Sequence, residues 1–222
     1  MKPKEHTWAQ YIRNGLGLKL SKIGEAMGVD SLTYNPVILE LFHSIAMENA
    51  PKVVSAIKEL YPQVRSVADV GCGSGAFAAE FNRSGIAAIG FERSPHGIAL
   101  ARKQGVDCRF FDVAIMPEEE SVSPVDLVYS FEVAEHVPEA LARQFVQFVT
   151  SCGDLIVFAA AHPGQGGIGH INEQPVSYWV NIFNEFGFDV SASETDAVRE
   201  AFREKDTSNW FFNNSCVYRR RL

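Results

Sequence analysis

Long apolar runs, paired cysteines and clustered basic residues are all scarce in this 222-residue sequence. No apolar run approaches the about 20 residues that a membrane-spanning helix needs, and residues 1–6 lack the apolar core of a secretory signal. The four cysteines form no C-x-x-C pair, which argues against disulfide staples and against a zinc site. We therefore expect a cytoplasmic protein without a membrane partner, whose cysteines are buried thiols.

Positive charge is also in deficit. Lys and Arg number 20 against 27 Asp and Glu, so the formal net charge is -7. Proteins that bind long nucleic acids concentrate Lys and Arg on one surface, where they displace counterions from the phosphates. The short basic tail 219–221 is too small for this purpose. The sequence predicts a small-molecule partner in preference to long nucleic acid, and it leaves the oligomeric state open.

Apolar segments alternate with helical patterns through most of the chain, and 46% of the residues are hydrophobic. The predicted strands lie near 66–70, 87–92, 107–112, 125–131 and 154–160, and the predicted helices lie near 75–84, 95–104 and 137–150. Short, continuously apolar strands that alternate with helices predict a parallel sheet covered on both faces. The length suits one α/β domain with a well-filled core.

The two ends of the chain are predicted separately. Residues 1–60 are expected to form a helical extension or lid on a main domain of residues 61–222. Breaks between its helices are expected at the glycines of 15–28 and at Asn35–Pro36. Pro51 is expected in the first turn of the last of these helices. Two further strands are expected near 187–190 and 210–218, and the acidic stretch 117–124 is expected to be a loop.

The most informative segment is Val67-Ala-Asp-Val-Gly-Cys-Gly-Ser-Gly-Ala-Phe77, an apolar strand that runs into three glycines. Gly71, Gly73 and Gly75 permit a sharp turn and let a ligand lie against backbone amides at a helix start. Asp69, two residues before the first glycine, repels a pyrophosphate but favours a cationic amino group. The segment therefore predicts a ligand with an amino group and without phosphates.

Two acids farther along the chain bear on the same ligand. Gly71-x-Gly73-x-x-Ala76 also fits the G-x-G-x-x-[GA] turn of nicotinamide and flavin enzymes. Glu92 closes the second strand, about 20 residues after the glycines. An acid at this position binds a ribose diol, so it supports a nucleoside ligand without distinguishing between these alternatives. Asp112 closes the third strand, where a dinucleotide enzyme has no standard need for an acid. A nicotinamide-dependent oxidoreductase stays open as an alternative.

With the stretch Glu132-Val-Ala-Glu-His136 after the fourth strand, these motifs resemble those of the class I S-adenosylmethionine-dependent methyltransferases, over roughly residues 64–190. The resemblance implies a three-layer, Rossmann-like α/β fold whose seven-stranded, mostly parallel sheet has the order 3-2-1-4-5-7-6, with an antiparallel hairpin at one edge. It implies S-adenosylmethionine as the cofactor. The residues implied to contact this cofactor are Asp69, Gly71, Cys72, Gly73, Glu92, Arg93, Asp112, Val113 and Phe131.

The acceptor half of such a site is expected after strands four and five. Glu132, Glu135 and His136 are spaced i, i+3 and i+4, which predicts that they share one face of a helix. His170 ends a glycine-rich loop, and an ordinary histidine pKa of about 6.5 suits removal of a proton. His170 and His136 are the catalytic candidates, and His162 is the rival base.

Glu-x-x-Glu-His followed by a later His resembles the metal-dependent small-RNA 2′-O-methyltransferases, and ubiquinone-biosynthesis O-methyltransferases carry a similar motif. The resemblance implies that Glu132, Glu135, His136 and His170 bind a divalent ion of the Mg or Mn type. The alternative is a Glu–His pair that packs or caps without any metal.

The loop Gly164-Gln-Gly-Gly-x-Gly-His-x-Asn-Glu-Gln174 resembles a group of small bacterial-type methyltransferases from glycan and secondary-metabolite pathways. This resemblance implies O-methylation of a small, polar, hydroxyl-bearing acceptor. Transfer to nitrogen or carbon, and a protein that binds the cofactor without turnover, are the open alternatives.

Overall fold

The computed structural model describes residues 8–27, 29–115 and 123–221. The strands found there are β1 (Ser66–Val70), β2 (Ala87–Glu92), β3 (Asp107–Phe110), β4 (Leu127–Phe131), β5 (Leu155–Ala159), β6 (Phe188–Val190) and β7 (Cys216–Arg220). The helices are α1 (Trp8–Met27), α2 (Asp30–Thr33), α3 (Pro36–Leu60), α4 (Ala76–Arg83), α5 (Pro95–Lys103), α6 (Ala142–Ser151), α7 (Val176–Glu185), α8 (Ala192–Glu204) and α9 (Asn209–Asn214).

The described strands form one seven-stranded sheet with the order β3-β2-β1-β4-β5-β7-β6. The strands β1 to β5 are parallel, and β7 runs antiparallel to both β5 and β6. Successive strand residues point to opposite faces, so Val157 packs with α3, α4 and α8 while Phe158 packs with α6 and α7. The predicted α/β fold class and strand order are confirmed.

The glycines of α1 do not break the helix, so the expected breaks within 15–28 were wrong up to Met27. A Cβ atom added to Gly17 would lie 2.5 Å from Val37, and one added to Gly24 would lie 2.3 Å from the Thr33 nitrogen. These glycines therefore let α1 pack closely against α2 and α3, a tertiary reason that the sequence pattern does not reveal. The predicted break at Asn35–Pro36 is confirmed, because Asn35 caps α3.

Pro51 lies inside the 25-residue helix α3, and the first turn holds Pro36 instead, so the expectation for Pro51 was wrong. A proline inside a helix removes one backbone hydrogen bond, but the following turns bury Val53, Val54 and Ile57 in the core beside the sheet. Burial of an apolar face stabilises a helix more than local propensity does. The second half of α3 thus belongs to the core, and the division of the chain at residue 60 stays a prediction.

The C-terminal strands are shorter than expected. The apolar run at 210–214 forms most of helix α9 instead of a strand, and only Cys216–Arg220 joins the sheet. A short apolar run fits a buried helix as well as a strand, so periodicity alone does not separate them. Helices α8 and α9 stand between β6 and β7, which makes this antiparallel pair something other than a simple hairpin.

Three smaller expectations concern single features of the chain. The four cysteines are buried and carry free thiols, as expected. Residues 117–122 of the expected loop 117–124 lie outside the described residues. None of the helices described here is long and apolar enough to cross a bilayer.

Candidate functional site

The residues singled out in the sequence gather at one edge of the sheet. Because β1, β2, β4 and β5 are parallel and in register, their carboxyl ends lie side by side, with Val70 opposite Phe91 and Phe131 opposite Ala159. In open α/β sheets ligands bind beyond this edge. One region of the molecule is therefore surrounded by the glycine loop, by the acids Glu92 and Asp112, and by the segments that carry His136 and His170.

The three glycines after β1 serve two purposes. All have positive φ, with values of 83° at Gly71, 53° at Gly73 and 75° at Gly75. A Cβ atom at Gly71 would lie 2.5 Å from Val133, and one at Gly75 would lie 2.7 Å from Ala101, so these two positions need glycine for packing. Around Gly73 no atom of the described residues lies within 4 Å of such a Cβ. The face of the loop at Gly73 is therefore open to a ligand.

Glu92 holds the glycine loop from the end of β2. Its Oε2 accepts a hydrogen bond from the Gly73 nitrogen at 2.8 Å, and its Oε1 accepts one from the Ser94 nitrogen at 2.7 Å. Burial raises the pKa of Glu92, and these hydrogen bonds oppose the rise. A Cβ atom on Gly97 would lie 2.9 Å from the Glu92 Cγ. The carboxylate that is expected to bind a ribose thus also fixes the loop beside it.

Asp69 lies beneath the same loop and is only 4% exposed. Its Oδ2 has no hydrogen-bond partner among the residues described. Burial, with a smaller contribution from the nearby Glu92, raises the pKa of Asp69 to about 8. The carboxyl group is therefore mostly neutral at neutral pH unless a cationic group approaches it.

Cys72 and Phe131 face inward. The sulfur atoms of Cys72 and Cys108 lie 3.5 Å apart, and both residues are buried. Phe131, the last residue of β4, stands edge-on to Phe77 with 5.9 Å between the ring centroids. Both side chains pack below the carboxyl edge of the sheet.

The remaining predicted cofactor contacts lie on the loops after β2 and β3. Arg93 directly follows β2 and is exposed. Asp112 follows β3, and its Oδ1 accepts a hydrogen bond from the Ala114 nitrogen at 2.9 Å. Val113 begins a short 3₁₀ turn and is half-buried. These three residues border the same region as the glycine loop.

The predicted helical face after β4 was wrong. The segment Ala134–His136 is a single 3₁₀ turn, and α6 begins only at Ala142 instead of near residue 137. Pro138 lies between them and has no N–H for a helix to use. Glu132 stands before the turn with a φ of 54°, a conformation that is rare outside glycine.

Glu135, His136 and His170 nevertheless come together. One possible ligand atom from each lies within 4.8 Å of the other two. The loop that carries His170 is tied to the turn, because the nitrogens of Ile171 and Asn172 donate to the Glu135 carbonyl oxygen at 2.9 and 3.0 Å. Three of the four predicted metal ligands thus form a cluster, held by backbone contacts and not by a helix face.

Glu132, the fourth predicted ligand, is engaged elsewhere. Its Oε1 accepts a hydrogen bond from the Asn214 amide at 2.9 Å, and its Oε2 accepts one from the Gln165 amide at 2.8 Å. Glu132 is close enough to Glu135 to raise the pKa of that carboxyl group. It therefore borders the cluster without being one of its three members.

Glu135 is the most unusual group of the site. Its side chain is fully buried, and neither carboxyl oxygen has a hydrogen-bond partner of ordinary geometry within the described ranges, although the Ala161 backbone lies near enough to act on its pKa. Burial, followed by the nearby charge of Glu132, raises the pKa of Glu135 well above its ordinary value. A buried carboxyl group without partners is costly. Such a group is expected to have a ligand, and a cation is the ligand that suits it.

In both histidines of the cluster, one ring nitrogen lies at hydrogen-bond distance from an oxygen. His136 Nδ1 lies 3.0 Å from the Gly169 carbonyl oxygen, and His170 Nδ1 lies 2.8 Å from the Glu173 carboxylate. Because these oxygens can only accept, each Nδ1 carries a proton in these contacts. Burial lowers the pKa of His136 to about 4, so this ring stays neutral. Imidazoles that give their Nδ1 proton to an oxygen are typical of metal ligands.

Glu173 is a functional residue that the sequence reasoning missed. Besides holding His170, it accepts hydrogen bonds from the Gly166 nitrogen at 2.7 Å and from the Gly164 nitrogen at 2.8 Å. The hydrogen bond from His170 is the main cause of its lowered pKa. The i, i+3 spacing of His170 and Glu173 was the available signal. This one carboxylate orders the glycine-rich loop and orients its histidine.

His162, the rival base, lies after β5. Its Nε2 is buried and lacks a hydrogen-bond partner in the described part of the chain, and burial lowers its pKa. It is not a member of the three-residue cluster. Trp179 of α7 is buried against Phe158, with 5.3 Å between the ring centroids.

The N-terminal helices contact both halves of the site. His43 of α3 lies with its Nδ1 2.8 Å from the Ser74 hydroxyl in the glycine loop. Glu25 of α1 accepts a hydrogen bond from the Gly169 nitrogen at 2.5 Å. Helical periodicity gives no partner for His43 or Glu25, so the sequence does not predict these two contacts.

A family described as a methyltransferase domain matches residues 42–193. The chain belongs to this family.

Two uncharacterized methyltransferases resemble this methyltransferase domain over 105 residues. The one from Mycobacterium leprae is 37% identical, with 44% of this chain and 38% of that protein covered. The one from Mycobacterium bovis is 34% identical, with 44% and 40% covered. The match thus spans well under half of these curated relatives.

Solved methyltransferases share the fold of this chain. An amino pentose methyltransferase from Micromonospora echinaspora, solved with S-adenosylmethionine bound, is 17% identical, with a TM-score of 0.62 over 79% of this chain and 92% of its own. A magnesium protoporphyrin IX methyltransferase from Synechocystis is 15% identical, with a TM-score of 0.59 over 92% and 99%. At this level of identity the similarity concerns the fold alone.

Proposed function

We propose that this chain transfers the methyl group of S-adenosylmethionine to a hydroxyl oxygen of a small, polar acceptor, assisted by a divalent cation of the Mg or Mn type. In this reaction the acceptor's O–H bond and the donor's S–CH₃ bond break, and an O–CH₃ bond forms. A proton and the neutral thioether leave. A cytoplasmic location and a small-molecule acceptor stay predictions.

The observation that carries the proposal is the buried carboxyl group of Glu135. Both of its oxygens lack hydrogen-bond partners among the described residues, and the Nε2 atom of His170 lies 3.8 Å from Oε1. With His136, the donor set is one carboxylate and two imidazoles, which suits a divalent ion with open positions. The residues present therefore fit a cation, with Glu132 beside them.

The donor half supports S-adenosylmethionine. Family membership and the open face of Gly73 agree with this cofactor. In the proposal Asp69, whose carboxyl is buried and lacks a partner at Oδ2, responds to the cationic amino group. Glu92 binds the ribose, and Asp112 binds the adenine. S-adenosylmethionine supplies an electrophilic methyl group when bound.

In the acceptor half Glu135, His136 and His170 would hold a cation, which would lower the pKa of a hydroxyl group and orient it. Glu173 keeps the Nδ1 proton of His170 in place. If no cation binds, His170 Nε2 is the base that removes the hydroxyl proton.

The N-terminal helices are proposed to cover this site. Support comes from the contacts of His43 with Ser74 and of Glu25 with Gly169, which tie α1 and α3 to opposite halves. A cover of this kind excludes water and shapes the acceptor pocket.

Metal dependence tests the acceptor half directly. Mn²⁺ binding, followed by electron paramagnetic resonance, is expected for the wild-type protein and is expected to be lost in Glu135→Gln. Methyl transfer from labelled S-adenosylmethionine to a panel of catechols and glycosides should stop with a chelator and return with Mg²⁺ or Mn²⁺. Full activity in excess chelator would reject the cation.

The donor half has its own test. Calorimetry should find weaker S-adenosylmethionine binding in Glu92→Ala and unchanged binding in Glu80→Ala, whose half-buried side chain on α4 pairs with Arg83. A thermal shift with S-adenosylmethionine and none with NAD would separate the proposal from the nicotinamide-dependent oxidoreductase. Amine analogues of the acceptors, with the product located by NMR, distinguish transfer to oxygen from transfer to nitrogen.

A further inference from the structure

We propose that Cys72 and Cys108 form an oxidative modification site, at which a peroxide joins the two thiols in a disulfide that weakens cofactor binding. The effect on the cofactor rests on the donor half of the proposed function, because Cys72 lies in the glycine loop. The disulfide itself can be detected without any cofactor.

The two sulfur atoms meet across strand β2. They lie 3.5 Å apart, close enough for one thiol to donate a hydrogen bond to the other. Gly90 of β2 is paired with Cys108 of β3, and a Cβ atom on Gly90 would lie 2.7 Å from the Cys72 sulfur. The Cys72 side chain thus occupies the space that a side chain at position 90 would fill. Glycine at this position is what allows the two sulfurs to meet.

The other two cysteines have different surroundings. The Cys152 thiol donates to the Phe148 carbonyl oxygen at 3.3 Å, and the Arg199 guanidinium donates to the Cys216 sulfur over 3.6 Å. Within the described part of the chain, Cys72 and Cys108 are the one pair of thiols in contact with each other.

A short movement would join this pair. The sulfurs of a disulfide lie about 2.05 Å apart, so the two atoms must approach by about 1.5 Å. Cys72 stands between Gly71 and Gly73, and glycines give a loop freedom to move. Cys108 lies on β3, an edge strand of four residues of which the other three are exposed. Elements with few buried contacts open locally more readily than the core, which also admits a small oxidant.

The surroundings make Cys108 the sulfur that reacts first. The hydrogen bond from the Cys72 thiol lowers the pKa of Cys108, and the positive charge of Arg102 lowers it further, while burial opposes both. Arg102 is held there because its Nε and Nη2 donate to the Cys108 carbonyl oxygen at 3.1 and 2.9 Å. The same thiol contact, followed by burial, raises the pKa of Cys72. Since the thiolate is the nucleophilic form, Cys108 is the attacking group.

The oxidation balances in two steps. The Cys108 thiolate attacks one oxygen of hydrogen peroxide, the O–O bond breaks, and a sulfenic acid forms, while the proton lost by the thiol completes a first water. The Cys72 sulfur then attacks the Cys108 sulfur, an S–S bond replaces the S–O bond, and a second water leaves. The thiols lose two hydrogens and two electrons, and one peroxide is reduced to two waters. In the cytoplasm, the predicted location, such disulfides are usually transient and redox-sensing.

Joining the sulfurs would displace the glycine loop. The nitrogens of Gly71 and Cys72 donate to the Phe91 oxygen at 2.8 and 3.0 Å, and the Gly73 nitrogen donates to Glu92 at 2.8 Å. These bonds hold the open face of Gly73 that the proposed function gives to S-adenosylmethionine. A shift of Cys72 toward β3 strains them, so the disulfide lowers the affinity for the cofactor. By linkage, the bound cofactor disfavours the disulfide to the same extent.

The test treats the reduced, metal-free protein with hydrogen peroxide, locates disulfides by peptide mapping and measures S-adenosylmethionine binding by calorimetry. We expect a disulfide between positions 72 and 108, an affinity weakened about 10-fold, and recovery of both with dithiothreitol. S-adenosylmethionine added before the peroxide should lower the oxidised fraction.

Two variants isolate the pair. Cys108→Ala should bind S-adenosylmethionine as the reduced wild type does and should keep that affinity after peroxide treatment. Cys152→Ala is the matched control, because it also removes a buried thiol. It should lose affinity on oxidation as the wild type does.

The two readouts keep the two ideas apart. If the reduced wild type binds no S-adenosylmethionine, the donor half of the proposed function and the link to the cofactor are both rejected, and peptide mapping alone decides the modification site. Thiols 72 and 108 that stay free, or that pair with Cys152 or Cys216, overturn the inference. A disulfide between 72 and 108 that leaves the affinity unchanged overturns its effect on the cofactor.

Discussion

The Nε2 atom of His170 lies 3.8 Å from Oε1 of Glu135, a fully buried carboxyl oxygen with no hydrogen-bond partner in the described chain. The two residues are 35 positions apart in the numbering, and the backbone bonds from Ile171 and Asn172 to the Glu135 carbonyl bring them together. An isolated pair of this kind costs stability. A cation between them would reverse the cost.

Glu135→Gln is expected to raise the stability of the metal-free protein and to abolish metal binding. The folded pKa of Glu135 is raised above its ordinary value of 4.5. Its neutral form therefore stabilises the fold fully below pH 4.5, and this contribution is lost as the pH rises through the raised pKa. Glutamine cannot ionise, so thermal unfolding should favour the variant more at about pH 8 than at about pH 5.

Glu139→Gln is the control for this experiment, because Glu139 is exposed and follows the same turn. It should change neither the melting temperature nor the Mn²⁺ affinity. A Glu135→Gln protein that keeps wild-type Mn²⁺ affinity, or one that gains no stability at high pH, contradicts the prediction.

A second prediction concerns the affinity of the metal itself. Binding requires Glu135 to lose the proton that burial favours, so Mn²⁺ affinity should increase steadily with pH across the window above pH 4.5. Calorimetry in two buffers of different protonation enthalpy should detect protons released on binding. An affinity that stays constant from about pH 5 to about pH 8 would argue that Glu135 is not a ligand.

Much of this site could be predicted from the sequence because its donor half is local. The glycine loop, Glu92 and Asp112 each lie at a strand end, and parallel strands bring their ends to one edge by rule. The acceptor half depends on chain segments far apart. Tyr34 contacts His136 and Glu25 contacts Gly169 through helix packing, for which no periodic pattern exists.

The errors have the same origin. The i, i+3, i+4 spacing of Glu132, Glu135 and His136 predicts one helix face, but Pro138 ends the turn early and the positive φ of Glu132 turns its side chain toward Asn214. Pro51 was misplaced because burial of α3 against the sheet outweighs the local preference of proline. Tertiary packing decided both cases.

Glu132→Gln should separate a cluster of three ligands from one of four. The Glu132 carboxylate accepts from Asn214 and Gln165, and glutamine would face one of these amides with its own amide hydrogens. We expect a small loss of stability, about 1 kcal/mol, and a Mn²⁺ affinity within a few-fold of the wild type. A loss of affinity as large as that of Glu135→Gln would make Glu132 a ligand.

Gly73→Ala and Gly105→Ala form a matched pair for the donor half. Both glycines have positive φ, 53° and 81°, and no described atom lies within 4 Å of an added Cβ at either one. Each substitution should therefore cost about 1 kcal/mol of stability from backbone strain. Only Gly73→Ala should weaken S-adenosylmethionine binding, by about 10-fold or more, since one obstructed contact of about 1.4 kcal/mol corresponds to tenfold. Equal affinities in calorimetry would place the cofactor elsewhere.

Asp69→Asn should raise the stability of the protein and weaken its binding of the cofactor. The folded pKa of Asp69 is about 8, against an ordinary value of 3.8, so its neutral form stabilises the fold below pH 3.8 and this contribution is lost as the pH rises through about 8. Asparagine stays neutral, and the variant should be more stable than the wild type by about 1 to 3 kcal/mol near neutral pH, with the difference shrinking in acid.

The same variant should bind S-adenosylmethionine more weakly, because the cationic amino group no longer meets a carboxylate. Asp126→Asn is the control, because the pKa of Asp126 is shifted in the opposite direction. Its carboxylate accepts from the nitrogens of Arg65 and Ser66, which lower its pKa, so the wild-type contribution of Asp126 is present above the ordinary pKa and is lost as the pH falls. Asp126→Asn should therefore give no gain in stability and no change in cofactor affinity. Unchanged cofactor affinity in Asp69→Asn would remove Asp69 from the proposed binding site.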